Sequence, residues 1–243
     1  MQLETRTSLT WSSTKAPNRS PAPQGTGLFH GRKLATTARR RNYQPLRKPQ
    51  AKSAEASVIT TDLLKNNLVA RARSFAIGAH AAIDQRMPFT GEPYEVHLES
   101  VVALLSQFTS DPEALAEAWL HDVLEDTGVT FELLRREFGD NVATTVRMVS
   151  KVSRKADGNR ATRAEIDRHH YANGSARAQD IKLVDAAVNV RTIVERAAQF
   201  AAVYVPEKAA LVESLTKGDI RIRRHALQVI SDAQSALRKI GLN

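Results

Sequence analysis

Residues 110–127, SDPEALAEAWLHDVLEDT, decide the fold class. Ser110-Asp111-Pro112 is a helix start, a capping side chain followed by proline, and Thr127-Gly128 is a stop. The residues between keep helical spacing, which predicts one helix over 113–127. On that helix residues four apart share a face, so His121 stacks with Glu125 and Asp122 with Asp126. Three carboxylates this close repel unless a cation, water or proton compensates. Negative charge at a helix C-terminus also opposes the macrodipole, where stability alone would favour Lys or Arg. The cluster therefore points to function.

Helical spacing continues on both sides. Thr61 or Asp62 is the expected cap of a helix carrying Leu63, Leu64, Leu68, Val69, Ala72 and Phe75 at threes and fours. QRMPFTGEPYEV, with two prolines and a glycine, is a structured loop before the helix HLESVVALLSQF. Thr130 caps FELLRREFG, Gly139 ends it, and Asp140 opens NVATTVRMVSKV. Polar SRKADGNRATR (153–163) reads as a loop or mobile segment. Residues 164–200 form two helices broken around Asn173-Gly174, and PEKAALVESLTKG and DIRIRRHALQVISDAQSALRKI form two more. With no strand alternation and no repeats, residues 57–243 are expected to make a compact all-α, multi-helix bundle.

Residues 1–56 are different. The chain carries a net charge of +9, and residues 1–55 hold 11 of its 35 Lys and Arg but only Glu4 and Glu55 among 26 acids. The remaining 24 bases and 24 acids balance, so the whole excess belongs to this leader. Rich in Ser, Thr, Pro and Arg, it cannot bury enough surface to offset the cost of ordering and is expected to be disordered. It suits a nucleic-acid arm, an organelle transit peptide, a docking signal or a dispensable tail, but not a secretory signal, because it has no apolar h-region. Elsewhere nothing suggests nucleic acid. There are no cysteines, which excludes disulfides and Cys-ligated metals. No apolar run reaches the roughly 20 residues of a membrane span. A cytoplasmic location is expected, with organelle targeting by the leader left open, and the sequence carries no signal for oligomeric state.

His97 opens the helix before the cluster, and Asp185 lies far downstream in IKLVDAAVNVRT. Together with His121 and Asp122 they supply two imidazoles and two carboxylates. That set suits an octahedral divalent cation that keeps positions for water and a phosphate oxygen.

In GEPYEVH, AEAWLHDVLEDTGVTFELLRREFGDNVATTVRMVSKVS and IKLVDAAVNVRT the chain resembles the HD-domain metal phosphohydrolases, more narrowly the (p)ppGpp hydrolase domain of RelA/SpoT-type proteins, over about residues 65–235. The resemblance implies an HD-domain bundle that removes the 3′-diphosphate of (p)ppGpp, giving GDP or GTP and pyrophosphate. It implies His97, His121, Asp122 and Asp185 as ligands of manganese or a similar divalent metal, and Glu125 and Asp126 as the acidic pair working with metal-bound water. It assigns Asn189 and Tyr94 to the nucleotide, and Lys151 and Ser153 to a substrate-side turn. His80 matches a histidine near the site that positions or packs, whereas His169, His170 and His225 read as surface residues.

Two departures stand out. DQRMPFTGEPY lacks the Arg-Lys pair frequent in the family, leaving Arg86 to stack on guanine from a shifted position. IKLVDAAVNVRT has Ala186 and Val188 where DRLHN is frequent. The length leaves no room for a synthetase domain, so a single-function small alarmone hydrolase is expected. The rival readings are an HD phosphatase on another phosphorylated nucleotide, such as NADPH or a nucleoside monophosphate, and a non-catalytic nucleotide-binding regulator. An intact ligand set with Glu125 and Asp126 favours catalysis.

Overall fold

The structure, a computed structural model, describes the backbone of residues 53–242 and the side chains of residues 67–242. The leader expected over 1–56 lies outside the described residues apart from its last four, which open the first helix. The described elements are α1 (Ser53–Ala81), α2 (Glu95–Leu105), α3 (Pro112–Leu120), α4 (Val123–Asp126), α5 (Phe131–Val149), a 3-10 turn (Lys155–Asp157), α6 (Arg160–Asn173), α7 (Ala176–Arg196), α8 (Ala198–Ser214) and α9 (Ile220–Lys239). Among the described residues there is no strand, only an isolated bridge between Arg86 and Pro93. No helix among them is long and apolar enough to cross a membrane.

α7 explains the architecture. Its run Ile181–Val188 is apolar nearly all round and buried throughout, so it must be surrounded. It packs on α2, α5, α8 and α9, and one core joins Leu104, Ile181, Leu183, Val190, Val205, Leu215 and Val229. A second core forms where α1 runs along α3, with Ala72, Ala76, Leu98, Leu120, Val123, Leu134 and Val146. The polar residues of α7, Lys182, Asp185 and Asn189, recur at helical spacing on one face and line a cavity between the helices.

Five helix starts carry side-chain caps, of which Asp111 and Thr130 are those the sequence predicts. The side chains of Asp111, Thr130, Asn159, Ser175 and Asp219 accept from Glu113, Leu133, Thr162, Ala178 and Arg221 backbone N–H groups. Gly139 (φ 87, ψ 170) kinks α5 where the sequence predicts a break, in a conformation that L side chains rarely adopt.

Four expectations are corrected. Thr61 and Asp62 lie inside α1, which begins upstream at Ser53, so neither stands at its N-terminus. The helix expected over 113–127 is two helices. Asp122, at φ −102 and ψ −4, sits in the bridge region, and the His121 ring bonds to the Ala118 carbonyl at 2.8 Å, a carbonyl one turn back. Pro206 does not start a helix but lies within α8, which begins at Ala198. The segment 153–163 contains the 3-10 turn and the first residues of α6.

Glu117 of α3 is fully buried, one of its oxygens has no partner, and the other faces Arg177 at 3.4 Å. Arg177 also serves Asp111 and Glu113, at 2.7 and 2.9 Å. Burial pushes the Glu117 carboxyl up from 4.5 to about 7 against the pull of Arg177. The folded chain therefore holds one more proton than the unfolded chain between those values, and unfolding free energy should fall as pH rises through that window, by roughly 3 kcal/mol at about 1.4 kcal/mol per pKa unit. Denaturant titrations at pH 5 and pH 8 should show this drop in the natural chain and lose most of it in Glu117→Gln. Equal pH dependence in the two proteins refutes the assignment.

Candidate active site

His97 lies in the first turn of α2 and His121 at the end of α3, both buried, with Nε2 atoms 3.3 Å apart. Asp122 Oδ2 is 2.9 Å from His121 Nε2 and 3.6 Å from His97 Nε2. Asp185 Oδ1 is 3.3 Å from His97 Nε2 and 3.9 Å from His121 Nε2. Among the described residues, His97, His121 and Asp122 bring ligand atoms within 4.8 Å of one another, close enough to hold a metal ion. Three residues thus gather their ligand atoms in one small cluster, and Asp185 Oδ1 lies beside it against the His97 ring.

The donor set fits a divalent cation. Bonds of roughly 2.1 Å space neighbouring ligand atoms about 3 Å apart around an ion. His121 Nδ1–H donates to the Ala118 carbonyl at 2.8 Å, the tautomer that leaves the Nε2 lone pair for a metal. Two Nε2 atoms 3.3 Å apart cannot both carry protons toward each other, so at least one must offer a lone pair.

The electrostatics agree. Burial would lower the His121 pKa, but the Asp122 carboxylate outweighs burial and holds it up at about 9. Burial likewise opposes ionisation of Asp122 and Asp185, yet His121 beside the first and Lys182 beside the second keep both carboxyls below the usual carboxylate range. Lys182 Nζ lies 3.1 Å from Asp185 Oδ2. The carboxylates are thus poised as anions, and a cation can replace the proton on His121.

Around this centre the outer groups are fixed by hydrogen bonds. Tyr94 OH donates to Asp122 Oδ2 at 2.5 Å, and burial, then the Asp122 charge, keeps the phenol protonated. Asn189 Nδ2 donates to Asp185 Oδ1 at 2.5 Å. Both Glu125 oxygens accept from Lys151, one from its backbone N–H at 3.0 Å and the other from its ammonium. Asp126 Oδ2 accepts from Gln85 Nε2 at 2.8 Å, and Gln85 Oε1 lies 2.6 Å from His80 Nδ1. Burial, then the Asp122 charge, raises the Asp126 pKa. Ser153 donates to Asp167 at 2.7 Å, and Asp167 also accepts from the backbone of Val152 and Ser153, pinning that turn.

A cavity of about 570 Å³ opens over these residues. Tyr94, Asp122, Glu125, Asp126, Lys151, Ser153, Asp185 and Asn189 all line it. Arg86 is not among the lining residues: its guanidinium pairs with Asp84 at 2.9 and 2.7 Å on the exposed surface. The loop instead turns Phe89 outward at φ 71, its ring 5.9 Å from Phe200, which lines the cavity with Tyr204. Sequence reasoning assigned no role to Lys182, Gln85 or Asp167. For Lys182 the signal was available, a lysine three residues before Asp185 on the same helix, whereas Gln85 and Asp167 reach the site through tertiary contacts alone.

Residues 72–206 match the sequence profile of a family described as HD domain. Among curated proteins the chain is similar to a probable GTP pyrophosphokinase of Mycobacterium leprae, 36% identical over 52% of this chain and 16% of that protein. It is similar to a probable guanosine-3′,5′-bis(diphosphate) 3′-pyrophosphohydrolase of Synechocystis, 35% identical over 52% of this chain and 17% of that protein. It also resembles the bifunctional (p)ppGpp synthase/hydrolase SpoT of Escherichia coli K12, 34% identical over 54% of this chain and 19% of that protein. The chain therefore spans less than a fifth of the length of these relatives. In fold it is similar to a solved metazoan ortholog of SpoT that hydrolyzes ppGpp, with a TM-score of 0.60, 24% identity, and coverage of 72% of this chain and 97% of that one.

Proposed function

The chain belongs to the HD-domain family, and from that premise we propose that it is a manganese-dependent hydrolase that removes the 3′-diphosphate of (p)ppGpp to give GDP or GTP and pyrophosphate. The observation that carries this reading is the convergence of His97, His121, Asp122 and Asp185 beneath a cavity bordered by Glu125, Asp126 and lysines. The similarity to proteins named as (p)ppGpp hydrolases supports the substrate. Imidazole and carboxylate donors suit manganese, as they suit other divalent transition metals. A nucleotide substrate of this kind fits a cytoplasmic location.

His97, His121, Asp122 and Asp185 would hold the cation. When bound, it supplies Lewis acidity, activating a water near neutral pH and neutralising charge on the phosphoryl group under attack. Asp126, oriented by Gln85, accepts the proton of the attacking water. Glu125 and Lys151 hold each other at the cavity wall, so the ammonium stands ready for a phosphate oxygen while the carboxylate limits its movement. Tyr94 donates to Asp122 and keeps that carboxylate turned toward the imidazoles. Asn189, one turn after Asp185, does the same for Asp185 from the nucleotide side. The position of Arg86 outside the cavity favours base contact through Tyr94 and the Phe200–Tyr204 wall rather than through a guanidinium.

The test is a substrate-by-metal screen with product identification. Manganese-loaded protein should release pyrophosphate from ppGpp, and should release little orthophosphate from NADPH or nucleoside monophosphates. Orthophosphate from those substrates with ppGpp left intact would establish the broader phosphatase reading instead. Nucleotide binding without turnover under manganese, magnesium and cobalt would establish a regulator.

A further inference from the structure

One charge beside the centre is left unused by the metal chemistry. Lys182 stands one turn before Asp185 on α7, is 5% exposed, and holds its ammonium 3.1 Å from Asp185 Oδ2. The same ammonium lies 4.9 Å from the ring of Tyr171, a buried residue of α6. Asp185 therefore divides its two oxygens, with Oδ1 toward His97 at 3.3 Å and Oδ2 toward the lysine. Burying a lysine is costly even when it is paired, and an apolar residue often serves stability as well as a buried ion pair does. Stability alone does not account for Lys182.

The charge balance of the centre does. Imidazoles bind a cation as neutral groups, so the fixed charges are the Asp122 and Asp185 carboxylates and the Lys182 ammonium. With the lysine the set carries one net negative charge, and without it two. A divalent cation is thus attracted less strongly, and the loaded centre ends with one net positive charge where it would otherwise be neutral. Buried charges are screened little by salt, so the difference is felt locally. Lys182, Asp122 and Asp185 all line the cavity, which exposes its occupant to that surplus.

We propose that Lys182 is a positioning residue and built-in counter-charge, which leaves Asp185 a single oxygen for the metal, weakens the hold on that metal, and keeps the loaded centre net positive toward an anionic phosphoryl group. The lysine gives up metal affinity for phosphate affinity. This rests on the metal-centre reading of His97, His121, Asp122 and Asp185 and not on the identity of the nucleotide. A residue that merely propped up Asp185 would have the opposite signature, because its loss would weaken metal binding.

The test titrates manganese calorimetrically into the metal-free full chain, then pyrophosphate into the loaded chain freed of excess metal. Lys182→Met and Lys182→Gln should each raise manganese affinity about tenfold or more and lower pyrophosphate affinity by a similar factor. Lys182→Arg, which keeps the charge, should stay near the natural values in both titrations. Gln retains an N–H donor for Asp185 Oδ2, so if Lys182→Met fails to fold, Lys182→Gln decides the outcome. Unchanged or weaker manganese binding in Lys182→Gln would make the lysine a plain support and overturn the inference. Tighter manganese binding with pyrophosphate affinity unchanged would overturn it too. The expected pattern in a protein that leaves ppGpp intact would uphold the role of Lys182 and refute the hydrolase reading alone. A natural chain that takes up no manganese would overturn both the metal centre and this role.

Discussion

Asp122→Ala should strip the protein of its metal and of its turnover together. Asp122 Oδ2 approaches both imidazoles, at 2.9 and 3.6 Å, and is the acceptor of the Tyr94 hydroxyl. Its removal deletes one of four proposed donors, and it also takes away the charge that faces the two imidazoles. Lewis-acid stabilisation is worth several kcal/mol, and at about 1.4 kcal/mol per factor of ten its loss should cost on the order of 10³-fold or more in ppGpp hydrolysis. Manganese measured by mass spectrometry in the purified variant should fall to background, and added manganese should not restore the rate. A buried Tyr94 hydroxyl without its acceptor should lower stability by about 1–3 kcal/mol, so the variant remains folded for comparison. Metal content and turnover retained together would remove Asp122 from the centre.

The residues proposed as ligands are more legible in the sequence than the backbone that presents them. His97, His121, Asp122 and Asp185 stand out because imidazoles and carboxylates are expensive to bury without a purpose, and the structure brings all four together. The break between α3 and α4 left no such mark. Apolar residues at 119, 120, 123 and 124 keep the period of a continuous helix, while the interruption arises from the backbone of Asp122 and the His121 ring bond to Ala118. The two-column picture of the cluster is therefore replaced by a turn that sends His121 and Asp122 inward and carries Glu125 and Asp126 to the cavity wall. Arg86 shows a different limit: Asp84, two residues away, captures the guanidinium in a local pair that no helical or strand period reveals. α8 shows a third, because propensity alone rejects Pro206 from a helix interior, yet packing of Ala201, Val205, Leu211 and Val212 carries the helix through it.

Asp126→Asn should lower kcat by roughly 10²–10⁴-fold, the range for loss of a positioned base, with KM changed only a few-fold. The two acids of α4 are not equivalent. Both Glu125 oxygens are occupied by Lys151, so its carboxylate is restrained and partly neutralised. Asp126 accepts from Gln85 through Oδ2 and keeps Oδ1 for a water. Burial, followed by the charge of Asp122, raises its proton affinity, which suits it to take up a proton. The sign of the pH dependence follows. The base form exists above its pKa, so kcat should fall as pH drops through a value higher than that of an ordinary carboxyl. That acid limb should vanish in Asp126→Asn, whose amide cannot titrate. Glu125→Gln should cost less, keep the acid limb, and raise KM, because it frees Lys151 from its anchor. A larger kcat loss in Glu125→Gln, with the acid limb still present in Asp126→Asn, would exchange the roles of the two residues.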